Sequence, residues 1–220
     1  MSERRFTARG WENSKLVSGS LNSTGRGETL IVSDDKVEFV LRHYMRGGFI
    51  RHIVEDVYLW QSEERTRSFA EWRMLHKLFK LGLRVPRPVA ARYRRNGIFY
   101  TADLLTSRIP GIVPLSERLR KPTTESFWFQ LGEGIERFHR VGACHADLNA
   151  YNVQIGKRDG LWLLDFDRGS FKGPGTWKQQ NLARLHRSLL KIRGLDSEVR
   201  WKDRDWQTLL DGYFQASRSE

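Results

Sequence analysis

The chain has 220 residues, 39% of them hydrophobic and eight of them tryptophan, enough for one large or two small domains with a real core. Its 38 Lys and Arg against 26 Asp and Glu leave a net charge of +12 that is spread along the chain, so an anionic partner is expected: nucleic acid, acidic lipid or a phosphorylated sugar. One cysteine, Cys144, excludes an internal disulfide and a cysteine-rich zinc site, no apolar run is long enough to span a bilayer, and the polar, basic residues 1–10 do not read as a secretory signal, so the cytoplasm is the expected compartment.

In chain order, three strands are expected over 15–19, 28–32 and 37–44, with Gly25-Arg26-Gly27 at the first hairpin tip. Backbone N–H groups at such a tip can face nucleotide phosphates, which makes Gly25 and Gly27 candidate nucleotide contacts. Glycines are also common in hairpins for backbone reasons, and no G-x-G-x-x-G spacing is present. Arg42 follows Gly27 by 42 − 27 = 15 residues and is a candidate phosphate-binding cation, with an exposed strand arginine as the plainer reading. Residues 44–65, with Arg46-Gly47-Gly48, Tyr58 and Trp60, read as an inserted acceptor-binding or packing segment.

A helix is expected from Ser68 to about Leu81, with Phe69, Trp72, Leu75 and Phe79 as its apolar face. Glu71 has two readings: it pairs with Arg42 at the nucleotide, or it completes a capping box with Ser68. A hairpin over 89–93 and 98–105 turns at Asn96-Gly97, and Leu104-Leu105-Thr106 would be a hinge whose backbone reads the adenine. Trp128, Leu131, Ile135 and Phe138 then recur at helical spacing, in a core helix ending near Val141-Gly142.

That helix leads into His145-Ala146-Asp147-Leu148-Asn149-Ala150-Tyr151-Asn152, which carries the main signal. A kinase catalytic loop needs an aspartate to accept the acceptor hydroxyl's proton and, five residues later, an asparagine to hold Mg²⁺; Asp147 and Asn152 stand at that separation. Residues 153–155 read as a strand, 156–160 as a turn and 161–164 as a buried strand that runs into Asp165, a second oxygen ligand for the metal. Asp167, two residues on, offers a further carboxylate for a second Mg²⁺ or for the acceptor. Loop chemistry alone would account for Asp147 and Asn152 but not for the hairpin that ends in Asp165.

Only 220 − 165 = 55 residues follow Asp165, comprising a Gly/Pro turn at 172–175, a basic amphipathic helix over about 177–191 and a final helix near 203–215. The A-P-E segment and large peptide-gripping platform of protein kinases are missing, which favours a small-molecule or glycolipid acceptor. The expected fold is α+β, two-lobed and protein-kinase-like, with a β-rich N-lobe over 1–105 and a reduced, mainly helical C-lobe over 106–220.

The catalytic stretch, together with Leu164-Asp165-Phe166-Asp167-Arg168-Gly169, Val40-Leu41-Arg42-His43-Tyr44-Met45-Arg46-Gly47-Gly48 and Glu64-Arg65-Thr66-Arg67-Ser68-Phe69-Ala70-Glu71, resembles the bacterial 3-deoxy-D-manno-octulosonic acid (Kdo) kinases, grouped with the lipopolysaccharide core heptose kinases. The resemblance runs over about 19–191. It implies ATP and Mg²⁺ as cofactors and transfer of the γ-phosphate to the 4-hydroxyl of a Kdo residue on a lipid A precursor, by a peripheral enzyme at the cytoplasmic face of the inner membrane. It also implies Asp147 as base, with Asp165 and Asn152 as metal ligands. Arg42 for lysine, Ala146 for arginine and Asp167 for glycine depart from the wider kinase pattern. Arg46, Arg51, Arg184, Arg187 and Lys191 are expected to include contacts to the acceptor or to the anionic inner-membrane surface, and a nucleic-acid partner is not expected. The alternatives are an atypical small protein kinase with an RNA or ribosomal partner, and a kinase-shaped module without turnover; the second should lack the base or the metal ligands.

Overall fold

The computed structural model describes residues 3–16, 29–35, 37–44 and 57–218. Its contacts divide the chain into two compact units, Met1–Phe79 with Pro86–Ile109, and Lys80–Val85 with Pro110–Glu220.

The first unit holds β1 (Asn13–Leu16), β2 (Thr29–Asp34), β3 (Val37–His43), β4 (Tyr58–Leu59), α1 (Arg67–Lys80), β5 (Pro88–Asn96) and β6 (Phe99–Ser107). The sheet is antiparallel in the order β1-β2-β3-β6-β4, with β5 also on β6. Alternating residues of β2, β3 and β6 face one way, so Val32, Leu41 and Leu105 bury together with Phe6. Phe6 comes from a turn of 3₁₀ helix, Glu3–Phe6, that lies beside the sheet. Arg92 stitches it there: its guanidinium stacks over the Phe6 ring, donates to the Phe6 carbonyl and pairs with the buried carboxylate of Asp103, which His43 also contacts at 2.7 Å.

Several expectations shift here. Leu104, Leu105 and Thr106 cannot be a hinge: β3 and β5 both pair with them, which commits their backbone to the ladder. The chain leaves the sheet after Ser107. Asn96 pairs with Phe99, so the hairpin turns on Gly97-Ile98 instead of Asn96-Gly97, and Gly97 supplies the left-handed φ of 59°. In α1 the buried side is Glu71, Met74, Leu75 and Leu78, while Phe79 is exposed. No capping box forms, because the Ser68 hydroxyl donates to the Arg92 carbonyl at 2.9 Å and Glu71 points inward. The expected contacts Gly25, Gly27, Arg46 and Arg51 lie outside the described residues.

The second unit holds β7 (Val113–Pro114), α2 (Leu115–Arg118), α3 (Glu125–Arg140), β8 (Ala143–Cys144), β9 (Val153–Ile155), β10 (Leu161–Leu163), β11 (Ser170–Phe171), α4 (Trp177–Leu195) and α5 (Asp203–Arg218). Thr124 caps α3 by accepting from the Phe127 N–H, and Trp128, Leu131, Ile135 and Phe138 are buried, as their spacing demands. Gly142 ends the helix at φ 78° and returns the chain to β8, where its N–H and C=O partners lie on His139 and Lys172. β9 and β10 form the hairpin read from the sequence, with Leu163 opposite Val153.

α3 and α5 meet backbone to backbone. A Cβ added to Gly132 would stand 1.9 Å from the Leu209 carbonyl oxygen, and one on Gly212 would stand 2.1 Å from that of Phe129. No rotamer relieves a clash with a main-chain carbonyl, so Gly132→Ala must push the helices apart, costing about 1–3 kcal/mol. A urea titration should show a lower midpoint for it, whereas Gly194→Ala, which meets nothing within 4 Å, should leave the midpoint unchanged or raise it.

Candidate active site

The loop between β8 and β9 carries Asp147 and Asn152 on a chain that is itself almost wholly buried. Leu148 and Ala150 are fully inside, so the polar residues between them are forced to satisfy the backbone locally. Asn149 does so in an Asx turn, its side-chain oxygen accepting from the N–H groups of Tyr151 at 2.8 Å and Asn152 at 3.0 Å. The Asn152 amide nitrogen then donates back to the Asp147 carbonyl at 2.9 Å. Two side chains thus fix the loop, while the Asp147 carboxylate stays 56% exposed.

His145 joins this loop to the strand that delivers Asp165. Its Nδ1 accepts from the Asp147 N–H at 3.1 Å, so its Nε2 must carry the proton that goes to the Leu164 carbonyl at 2.8 Å. Burial pushes this imidazole below its ordinary pKa, more than the Leu164 carbonyl and the charges of Asp165 and Asp147 pull it up. It is therefore neutral in the form that both bonds require. The Leu164 N–H in turn donates to the Asn152 carbonyl at 3.0 Å. Immediately after it Asp165 is exposed and adopts the left-handed φ of 61°, which turns its carboxylate out of the strand while Phe166 buries against His145 and Phe138. Asp167 and Arg168 occupy the turn closed by Gly169 N–H on the Phe166 carbonyl at 2.7 Å. Asp147, Asn152 and Asp165 are therefore brought onto one hydrogen-bonded frame, with Asp167 in the next turn.

α4 holds that frame from beneath. Asn181 is buried and meets the His145 peptide at both ends, accepting from its N–H at 3.2 Å and donating to its carbonyl at 2.9 Å. Two turns later the Ser188 hydroxyl accepts from the Ala150 N–H at 3.1 Å. Neither residue was expected from the sequence: a polar residue in an amphipathic helix reads as solvent-facing until its partner loop is known. Between them, Arg184 brings Nη1 to 3.9 Å from Asp147 Oδ1.

In the first unit, Arg42 on β3 donates to Glu71 Oε2 on α1 at 2.6 Å, and the Tyr44 hydroxyl donates to the same oxygen. The guanidinium of Arg42 stacks over the Tyr44 ring at 4.5 Å and that of Arg67 at 5.2 Å, so a carboxylate with only 2% of its side chain exposed is matched by cations and a hydroxyl. Of the two partners that the sequence left open for Glu71, the strand cation is the one it meets.

The model of the lipopolysaccharide kinase (Kdo/WaaP) family matches residues 10–213. The chain belongs to that family. Among curated relatives of this Kdo/WaaP kinase, the 3-deoxy-D-manno-octulosonic acid kinase of Vibrio vulnificus (strain YJ016) is 42% identical over 209 residues, 94% of this chain and 87% of the relative. Those of Xylella fastidiosa (strain M23) and Stenotrophomonas maltophilia (strain K279a) are each 43% identical, over 88% and 87% of this chain and 78% and 77% of theirs. Among solved structures, two of WbdD, one titled a bifunctional kinase-methyltransferase, superpose with TM-scores of 0.51 and 0.52 at 16% identity over 94% of this chain. At that identity the likeness shows the kinase-like α+β fold, and the family member spans a little under half the length of those chains, 47% and 46%.

Two outcomes test the frame. Asn181→Ala leaves both polar groups of the buried His145 peptide unpartnered, so thermal unfolding should reveal a loss of about 1–3 kcal/mol. A second buried imidazole, His139, hydrogen-bonds the Tyr213 hydroxyl and is pushed down by burial to about 4. The unfolded chain therefore takes up its proton first, near pH 6.5, so stability is full above that value and declines as pH falls toward 4, by about 3 kcal/mol for this group. Urea unfolding between pH 7 and pH 4.5 should show a shallower decline in His139→Gln than in the wild type.

Proposed function

We propose that this family member transfers the γ-phosphate of ATP to the 4-hydroxyl of a Kdo residue on a lipid A precursor, in the assembly of the lipopolysaccharide inner core. The observation that carries the reading is the division of labour in the loop. Asp147 spends its backbone on the frame and keeps its carboxylate exposed, whereas Asn152 spends its amide nitrogen and keeps its carbonyl oxygen. A carboxylate held open in this way can accept the proton of an incoming sugar hydroxyl, and an amide oxygen fixed beside it suits a hard cation. The relatives named Kdo kinases, at 42–43% identity, support the acceptor.

The donor set fits Mg²⁺–ATP. Asn152 and Asp165 would hold the metal, with Asp167 as a further carboxylate, and the ion would supply charge neutralisation at the transferring phosphoryl group. Arg42, oriented by Glu71 and Tyr44, would take nucleotide phosphate oxygens, with Gly25 and Gly27 as further contacts. The residues themselves do the rest: His145 keeps Asp147 and the Asp165 strand at a fixed separation, Asp147 receives the proton, and the Asn181 clamp resists movement of the loop as charge develops.

The acceptor is a glycolipid, which places the enzyme peripherally at the cytoplasmic face of the inner membrane in this reading. No described helix is long and apolar enough to cross a membrane. A net charge of +12 would favour an anionic leaflet, each near-surface Lys or Arg adding about 1 kcal/mol.

Mass spectrometry of a Kdo-bearing lipid A precursor incubated with ATP and Mg²⁺ should show the gain of one phosphate with the wild type. Asp147→Asn should lower the rate by about 10²–10⁴-fold with ATP binding retained. Absence of transfer by a wild-type protein that binds ATP would remove the acceptor assignment.

A further inference from the structure

α4 presents an unusual stripe to the catalytic loop. Asn181, Arg184 and Ser188 are spaced by three and four residues and so share one side of the helix, and the first and last are bolted to the peptides of His145 and Ala150. Arg184 is thereby set by the fold beside Asp147, at 3.9 Å between Nη1 and Oδ1. That distance is too long for a hydrogen bond, and Arg184 hydrogen-bonds no other described residue, although 44% of its side chain is exposed. Arg187 and Lys191 continue the line of exposed cations by one and two turns. Three like charges along one line disfavour each other, and an anion seated among them would relieve that repulsion.

We propose that Arg184 is the acceptor's carboxylate receptor, binding the sugar acid group in the fork of its guanidinium and so presenting the 4-hydroxyl to Asp147. The inference rests on the acceptor reading above, and it deepens it by assigning a specificity residue. In a Kdo ring the carboxylate is carried on C2 and the 4-hydroxyl lies two ring carbons away, so one sugar can meet both an arginine and a base whose heads are 3.9 Å apart. Arginine suits this task better than lysine, because its planar fork matches both carboxylate oxygens. One side of α4 thus carries both the clamp on the loop and the cation that would select the acceptor. A neutral hexose would reach Asp147 but offer the guanidinium fork no carboxylate, and would be discriminated against.

Steady-state kinetics test this with two acceptors: the Kdo-bearing lipid A precursor, and the same molecule with the sugar carboxylate masked as a methyl ester. The wild type should lose about ten- to a hundredfold in kcat/KM on the ester, the size of one charge-assisted pair, with most of the change in the acceptor's KM. Arg184→Gln should lose as much on the acid, lose nothing further on the ester, and keep the wild-type KM for ATP; Arg184→Lys should recover part of the loss. The proposal is overturned if Arg184→Gln loses equally on both acceptors or if its defect lies in the KM for ATP, either of which would assign the cation to the nucleotide. It is also overturned, with the acceptor reading intact, if the wild type phosphorylates acid and ester alike. A wild type that phosphorylates neither removes the acceptor reading itself. The ester comparison needs no variant and so does not depend on how the variants fold.

Discussion

One neutral imidazole organises the second unit. His145 is buried, and both of its nitrogens are engaged in opposite senses, one accepting from the residue that carries the exposed carboxylate and the other donating to the residue before Asp165. Such an arrangement works only for the uncharged ring, since a protonated Nδ1 could not accept. Burial enforces that state against the nearby charges of Asp165 and Asp147, which pull the other way. The distance between two acidic segments is consequently set by the width of a rigid ring, and the Phe166 ring packed against it leaves little room for tilt.

The same logic of buried polar groups explains why so many residues take part in the frame. Each hydrogen bond in it satisfies a group that would otherwise cost a kilocalorie or more to bury, so Asn149, Asn152, Asn181 and Ser188 stabilise the loop as they shape it. In the first unit Glu71 follows a related rule. A buried carboxylate is tolerated because Arg42 and Tyr44 both reach it, and the ion pair holds a strand cation in one orientation more than it adds to stability.

Much of this could be read from residues in series. Asp147, Asn152, β9, β10 and the α3 core positions follow from local spacing, where each side chain's neighbours in sequence are its neighbours in space. The misplacements share a different cause. Leu104-Leu105-Thr106 reads as a hinge because its pairing with β3, some sixty residues earlier, leaves no mark in the segment itself. Glu71 matched a capping motif and a buried ion pair equally well until Ser68 was found bonded to Arg92. Phe79 lost its place in the core because Met74 and Leu78 define the true inner face of α1. Asn181, which clamps the His145 peptide from another element, carries no signal in its own surroundings.

The crossing of α3 and α5 bears on the order in which the second unit is made. Gly132 and Gly212 let two helix backbones touch, so the surface that α3 offers there is a smooth groove that the backbone of α5 fills. On the ribosome α3 emerges well before α5 and must wait with that groove, and the apolar residues beside it, open to water. The loop of Asp147 and Asn152 follows α3 closely in sequence, but its clamp on α4 and the core closed by α5 are both made late. A pause in synthesis before α5 is complete would leave that groove uncovered.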